Sequence, residues 1–431
     1  MFNKSFVNKK ILIYGLGLSG NSCLKYLYKN NKVKVYDDNI KLKNKLNKKY
    51  FLGKKQVLKL KFDYVVISPG IDIKKCHLTS YLLKNFKKII TELDIFYLFY
   101  PNNTKITITG TNGKSTTCQM LYEILKLKNL DVRLIGNIGK PPLEEKKIKK
   151  KTIFVIEASS YQIFYNKYFK TDYAAILNLN VDHLERHKNI NLYAQAKLKL
   201  IFDQDINKLS FIEKDSIIIN KHILKKKIKS KIIKVRYNKV NYFKTKIHNN
   251  YLLDKNNLKN IHFAYEISKI FKISNYKIFK SLNFFKGLKF RNQIVLHKPK
   301  LKIINDSKST SFSSTKGLLS TYKNIYWIVG GKFKKGDNFT IEKKYHKNIK
   351  AYIIGINKKY FIKQFRNKIK FKYCKYLKNA VLSLKKDIKN DRGNKTILFS
   401  PAAASFDQFK NFEDRGNYFD NLIKKVDFNG N

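Results

Sequence analysis

Residues Lys105–Thr117, KITITGTNGKSTT, carry the most specific chemistry in the chain. An apolar strand around Ile106 and Ile108 runs into two glycines, Gly110 and Gly113. The segment Lys114-Ser115-Thr116-Thr117 then opens a helix. Glycines let backbone N–H groups close around an anion, and a helix N-terminus adds about half a positive charge. Gly110, Thr111, Asn112, Gly113, Lys114, Ser115, Thr116 and Thr117 are therefore candidate ATP-binding residues. Lys114 brings a full charge to the β- and γ-phosphates, and Ser115 offers a hydroxyl to Mg²⁺. The match to G-x-x-x-x-G-K-[ST] is incomplete, because Ile108 stands where that form has glycine. Further along, Glu157 ends the apolar strand Thr152–Ile156, and a carboxylate there is well placed to hold Mg²⁺. His183 follows the strand Tyr173–Leu177 in a polar turn, where a structural and a ligand role stand about even. Lys197 and Lys199 read by spacing as surface lysines on a helix.

The elements that must position these residues alternate between strand and helix. Lys10–Tyr14 is an apolar strand leading into Gly15-Leu-Gly17-Leu18-Ser19-Gly20, then a helix, then a strand ending at Asp37. This satisfies the dinucleotide fingerprint with an acid about 20 residues on. Its physical content is narrower: backbone amides and a helix N-terminus brought to a diphosphate, which UDP also carries. A strand over Phe62–Ile67 ends in Ser68-Pro69-Gly70, where open α/β sheets bind ligands. Strands at Lys302–Ile304, Tyr326–Val329, Ala351–Ile354 and Thr396–Phe399 predict a further doubly wound sheet. The fold expected is α/β with three domains: a Rossmann-like N-terminal domain over 1–93, a P-loop central ATPase domain over 94–287 and a Rossmann-like C-terminal domain over 288–431. Residues 205–250 are lysine-rich and uninformative.

Length and composition fit this plan. A chain of 431 residues is long enough for about three domains. No run of about 18 apolar residues suggests a membrane span, and the N-terminus reads directly into a strand without a signal peptide. Four scattered cysteines show neither metal spacing nor a disulfide framework. A soluble, cytoplasmic monomer without membrane insertion is the expectation. The net charge of +61 invites a nucleic-acid reading. The excess is spread along the whole length as lysine, alongside abundant Ile, Asn, Tyr and Phe, so no nucleic-acid partner is expected. Runs such as Lys146–Lys151 and Lys225–Lys234 read as solvated surface.

The TGTNGKST form, with the motifs after it, resembles the Mur ligases of peptidoglycan synthesis, most closely the members that add D-glutamate. Asn305-Asp306-Ser307-Lys308 and Ser400-Pro-Ala-Ala-Ala-Ser405-Phe406-Asp407-Gln-Phe409 separate these from the alanine-, diamino-acid- and dipeptide-adding relatives. The resemblance implies an ATP-dependent ligase that joins D-glutamate to UDP-N-acetylmuramoyl-L-alanine through an acyl phosphate. It makes Glu157 and His183 ligands of Mg²⁺ with Ser115, and Lys197 a carbamylated ligand. Lys114, His183 and Lys197 are the implied catalytic residues. Leu18, Ser19, Asp37, Ser68, Pro69, Gly70, Asn137, Gln162 and His183 would meet the UDP-muramoyl substrate. Asn257, Asn260, Arg291, Asp306 and Lys334 would meet ATP, with Asn256 or Asn257 equally readable as a plain helix cap. Lys308, Thr310, Ser405 and Phe412 would hold D-glutamate. Sites drawn from three domains imply closure of the third on the second after ATP binds. Asp38-Asn39, Gln293 and Ala403 depart from the family's pattern.

Two other classes compete. A nicotinamide oxidoreductase would use Gly15–Gly20 and Asp37 but leaves Lys105–Thr117 idle. A basic nucleic-acid-dependent ATPase would use the charge and the phosphate loop. Within the ligases, folylpolyglutamate synthetase is disfavoured by the first glycine loop and by Asn305–Ser311.

Overall fold

Three sheets, almost wholly parallel, organise the chain in this computed structural model, which describes residues 6–39, 50–334, 336–389, 391, 393–426 and 428. The first has β1 (Lys10–Tyr14), β2 (Lys32–Tyr36), β3 (Tyr64–Ile67) and β4 (Ile89–Ile90) in the order β2-β1-β3-β4. The second has β5 (Lys105–Thr109), β6 (Val132–Gly136), β7 (Ile153–Glu157), β8 (Tyr173–Ile176), β9 (Leu209–Glu213) and β10 (Lys231–Val235), ordered β10-β9-β8-β5-β7-β6. The third has β11 (Gln293–Lys298), β12 (Leu301–Asn305), β13 (Ile325–Gly330), β14 (Ile349–Ile354), β15 (Lys370–Lys375) and β16 (Lys395–Phe399), ordered β11-β12-β16-β13-β14-β15. Its β11 alone runs antiparallel.

These strands read as expected for sheets covered on both faces. Every residue of β5, β7, β13 and β16 is buried, and β-branched and aromatic side chains dominate them. The expected α/β class is therefore present, in three sheets that are parallel apart from β11. β5 lies between β7 and β8, so its C-terminal loop opens where the strand order reverses. Residues 205–250, silent in sequence, supply β9, β10 and two short helices. The lysines of β10 hid it, and they suit its place at the sheet edge.

Packing divides the chain into two compact units. One is Met1–Leu179, Arg186–Asn238 and Asn260–Ser281; the other is Asn180–Glu185, Lys239–Lys259 and Leu282–Asn431. The first unit therefore contains two sheets. Helix Glu92–Phe99 joins them by setting Phe96 edge-on to Phe154 of β7, with ring centroids 4.8 Å apart. Asp94 of that helix is fully buried. Its Oδ1 accepts the backbone amides of Lys167, Tyr168 and Phe169 at 2.8–2.9 Å, and its Oδ2 accepts from Thr91. Burial pushes this carboxyl up, and the amides pull it back.

Removing that carboxylate strands several buried amides, each worth a desolvation penalty. Asp94→Ala is expected to cost the first unit about 3–5 kcal/mol. Urea unfolding checks this; a loss near zero would mean the amides find other partners.

Candidate nucleotide and substrate sites

The phosphate loop is held open by its neighbours. Gly110 and Gly113 have φ of +151° and +84°, conformations open to glycine, and Gly113 caps helix Lys114–Lys126. A Cβ on Gly113 would lie 2.1 Å from Asn260 Oδ1, so Asn260 presses directly on the loop. Asn178 clamps its middle, accepting from Asn112 N at 2.9 Å and donating to Asn112 O at 3.0 Å. Lys114 Nζ folds back onto the carbonyls of Gly110 and Thr111 at 3.0 and 2.8 Å. The loop amides and the lysine thus share one concave turn at a helix N-terminus, which is an anion site.

The carboxylate expected beside it is there. Glu157, at the end of β7, is buried and accepts a short hydrogen bond from Ser115 Oγ. Asn137 Nδ2 donates to its other oxygen at 2.9 Å. Lys197 is not a surface lysine: only 1% of it is exposed. Its Nζ donates to Thr109 Oγ1 at 3.2 Å and lies 4.8 Å above the Tyr193 ring. Tyr193 OH in turn meets Thr111 Oγ1 at 3.2 Å. Spacing placed Lys197 on the surface because a lysine is ordinarily solvated; helix Ile190–Phe202 instead turns Asn191 and Gln195 outward and carries Lys197 on the face buried with Tyr193, Ala194 and Leu200. Lys199, by contrast, is half-buried and pairs with Asp203.

The chemistry of these side chains suits Mg²⁺. A hydroxyl and a carboxylate in contact at the phosphate loop are the hard oxygens it prefers, with water and phosphate completing the shell. Among the described residues no three of His, Cys, Asp or Glu cluster as a metal site. His183 belongs to the other unit, has φ of +54° and faces the carboxylates of Asp182 and Glu185.

The first sheet presents a second helix N-terminus. Gly17 caps helix Leu18–Leu27 without a side-chain bond, and Leu18 stands exposed beside Ser19. Gly15 is positive in φ and pressed on Ser68, whose Oγ donates to Gly15 O at 2.7 Å. Pro69 and Gly70 follow in the same turn. Asp37 spends its oxygens on the Leu16 and Asn39 amides at 2.7 and 2.8 Å, so it shapes the glycine loop. Asp38 accepts from Tyr14 OH at 2.7 Å. A small cavity lies among Ser19, Ser68, Pro69, Gln162 and Glu92. Sequence reading gave Glu92 no role; it is buried, burial pushes its carboxyl up, and Ser19, Ser22 and the Leu143 amide pull it back.

The third sheet gathers the remaining candidates. Asp306, after β12, accepts from Ser400 Oγ at 2.7 Å and from Asn292 N at 3.1 Å. Burial raises its carboxyl to about 7 against the pull of Ser400, Asn292 and Arg291. Lys308 Nζ sits 3.6 Å above the Phe412 ring, bringing two of the expected D-glutamate residues together. Arg415, which the sequence left unassigned, is fully buried. It donates to Ser307 O and Oγ and to Ala403 O, tying the loop of Lys308 to the loop before Ser405. Thr310 is half-buried in the first of these loops and Ser405 buried in the second. Lys334 pairs with Asp182 at 2.7 Å. The plain helix cap expected at Asn256 or Asn257 is Asp254, whose Oδ1 takes both their amides, while Asn257 Nδ2 donates to Tyr251 O.

A carboxyl raised from 3.8 to about 7 on folding leaves the native state holding a proton that the unfolded chain has lost. Its stabilisation is complete below about pH 4 and is lost as pH rises toward 7, by about 4 kcal/mol at most. Asp306→Asn is expected to flatten stability against pH in that window, read from urea midpoints. Parallel curves for both proteins would refute the raised carboxyl.

Comparison with known proteins bears on these sites. Residues 108–281 match the Mur ligase middle domain, and residues 9–90 match the Mur ligase MurD-like, N-terminal domain. The UDP-N-acetylmuramoylalanine–D-glutamate ligase of Rickettsia prowazekii is 33% identical over 446 residues, covering 98% of this chain and 99% of that protein. The protein of that name from Buchnera aphidicola is 34% identical, covering 98% and 99%. Among solved structures, the UDP-N-acetylmuramate-alanine ligase of Thermotoga maritima superposes with a TM-score of 0.57 at 16% identity, covering 97% of this chain and 100% of that one. A MurF ligase of Thermotoga maritima in complex with ADP gives 0.59 at 13%, covering 99% and 98%. These last two share the α/β fold. A phosphate loop backed by a buried carboxylate, and near full-length identity of about one third, lead to one conclusion: the chain belongs to the Mur ligase family, in the branch of the UDP-N-acetylmuramoylalanine–D-glutamate ligases.

Proposed function

We propose that this chain uses ATP to join D-glutamate to UDP-N-acetylmuramoyl-L-alanine in peptidoglycan precursor synthesis, with the work divided among domains at 1–93, 94–287 and 288–431. The observation that carries the reading is the Lys114–Ser115–Glu157 arrangement at the end of β5, joined by the buried Lys197.

Each step has residues suited to it. The Gly110–Thr117 loop takes the phosphates of ATP, and Lys114 turns from its carbonyl partners toward them. Asn257, Asn260, Arg291, Asp306 and Lys334 complete the nucleotide site. The helix start at Leu18 and Ser19 and the Ser68–Gly70 turn take the diphosphate of the UDP substrate, with Asp37 holding the loop. Asn137, Gln162 and His183 orient the muramoyl end. Its alanyl carboxylate attacks the γ-phosphate and displaces ADP, and the resulting acyl phosphate is attacked by the amine of D-glutamate as phosphate leaves. The donors around the γ-phosphate act by stabilising developing charge. Lys308 offers a cation to D-glutamate, with Thr310, Ser405 and Phe412 around it. Mg²⁺, held by Ser115, Glu157 and His183 together with a carbamate on Lys197, would neutralise phosphate charge. A carbamate suits that place because it exchanges a buried cation for oxygen ligands.

Among the described residues no helix is long and apolar enough to cross a membrane. We place the enzyme in the cytoplasm, as a monomer, where its soluble substrates are.

Phosphate release from ATP with the UDP substrate is expected to depend on D-glutamate and not on L-glutamate or L-alanine, and Lys114→Ala to abolish it. Release driven by another amino acid would keep the ligase and reassign the pocket at Lys308; release without any would remove the ligase reading. Lys197→Ala is expected to lose turnover that bicarbonate does not restore. Near-wild-type turnover would sink the carbamate.

A further inference from the structure

Residues 215–235, at the β10 edge of the central sheet, combine three features that the ligase reaction leaves unused. Half of residues 221–234 are lysine and none is Asp or Glu, against 91 Lys and Arg in 431 residues overall. Helix Ile217–Ile223 is continued by Leu224 in helical backbone, and Ile217 and Leu224 are 83% and 86% exposed. Seven residues apart, they share one helix face, with Lys221 between them. Next to this face is a groove of about 320 Å³. Lys221, His222, Lys225 and Lys226 line it from one side, Asn191 and Gln195 from helix Ile190–Phe202 on the other. The same helix buries Lys197 on its inner side. Burial, with a smaller contribution from Lys225, Lys221 and Lys226, pushes the His222 imidazole down.

We propose that this face docks the enzyme on an anionic phospholipid surface. The lysines and amides around the groove take headgroup phosphates, and Ile217 and Leu224 seat between headgroups. Two aliphatic tips one helical face apart favour lipid over nucleic acid, whose single-stranded binders present aromatic rings to the bases. The attachment is peripheral and reversible, and it leaves the phosphate loop, three strands away at β5, unaltered.

Co-sedimentation of the full chain with vesicles tests this. Binding is expected to vesicles of equal parts phosphatidylcholine and phosphatidylglycerol, and not to phosphatidylcholine alone. A lysine near such a surface is worth roughly fivefold in partitioning. Lys221→Glu/Lys225→Glu/Lys226→Glu should therefore weaken binding at least tenfold. Lys368→Glu/Lys370→Glu/Lys372→Glu, an equal charge change on exposed lysines in β15 and the turn before it, should weaken it less than about threefold. Ile217→Ser/Leu224→Ser should lose the binding that persists at about 0.5 M salt, where charge is screened. ATP turnover of each variant reports its fold. No binding to the anionic vesicles, or equal losses from both lysine triples, would overturn the proposal. So would an unchanged Ile217/Leu224 variant, or a single-stranded RNA oligonucleotide bound through the same lysines while vesicles are ignored.

Discussion

The hydrogen bond between Ser115 and Glu157 is the contact around which the rest is arranged. It joins the first turn of the helix after β5 to the last residue of β7, two parallel strands that lie side by side. A buried carboxylate needs donors, and here Ser115 and Asn137 supply them. Those donors in turn fix where the helix begins and where its N-terminal amides point. The left-handed Gly113, pressed by Asn260, and the Asn178 clamp make the same loop rigid from its other sides. In an anion site made this way the loop backbone needs little reorganisation when the ligand arrives, and the movement falls to the Lys114 side chain.

Acids are scarce in a chain with 30 Asp and Glu against 91 Lys and Arg, and several of them are spent at junctions. Asp94 ties helix Glu92–Phe99 to the segment before β8, and Asp37 closes the first glycine loop. Asp306 joins the ends of β12 and β16. Burial opposes charge at Asp94 and Asp306, and each is held by amides or hydroxyls in place of lysine. Arg415 does the reverse job in the third sheet. Its guanidinium is buried among carbonyls and a hydroxyl, which fixes two loops at once through its planar fork of donors.

The surface excess of lysine therefore has little bearing on the fold. Apolar strands set the sheets, and the lysines extend into solvent, pair with the few acids, as Lys199 does with Asp203, or lie over aromatic rings, as Lys226 does over Phe202.

The sequence by itself determined the α/β class, the phosphate loop, the first glycine loop and the strand ends that carry Glu157 and Asp306. All of these are local: apolar β-branched runs, glycine at turns and a polar residue at the next step are legible within a dozen residues. Tertiary structure decided what depends on neighbours distant in sequence. Lys197 is buried because its helix packs against β8 and the phosphate loop, and nothing in its own spacing says so. Arg415 and Glu92 gained their places from loops and cavities built by other segments. The edge strand β10 was hidden by its lysines, since only pairing with β9 makes it a strand. Periodicity reports which face of an element is buried; which groups meet there is set by how the sheets and loops come together.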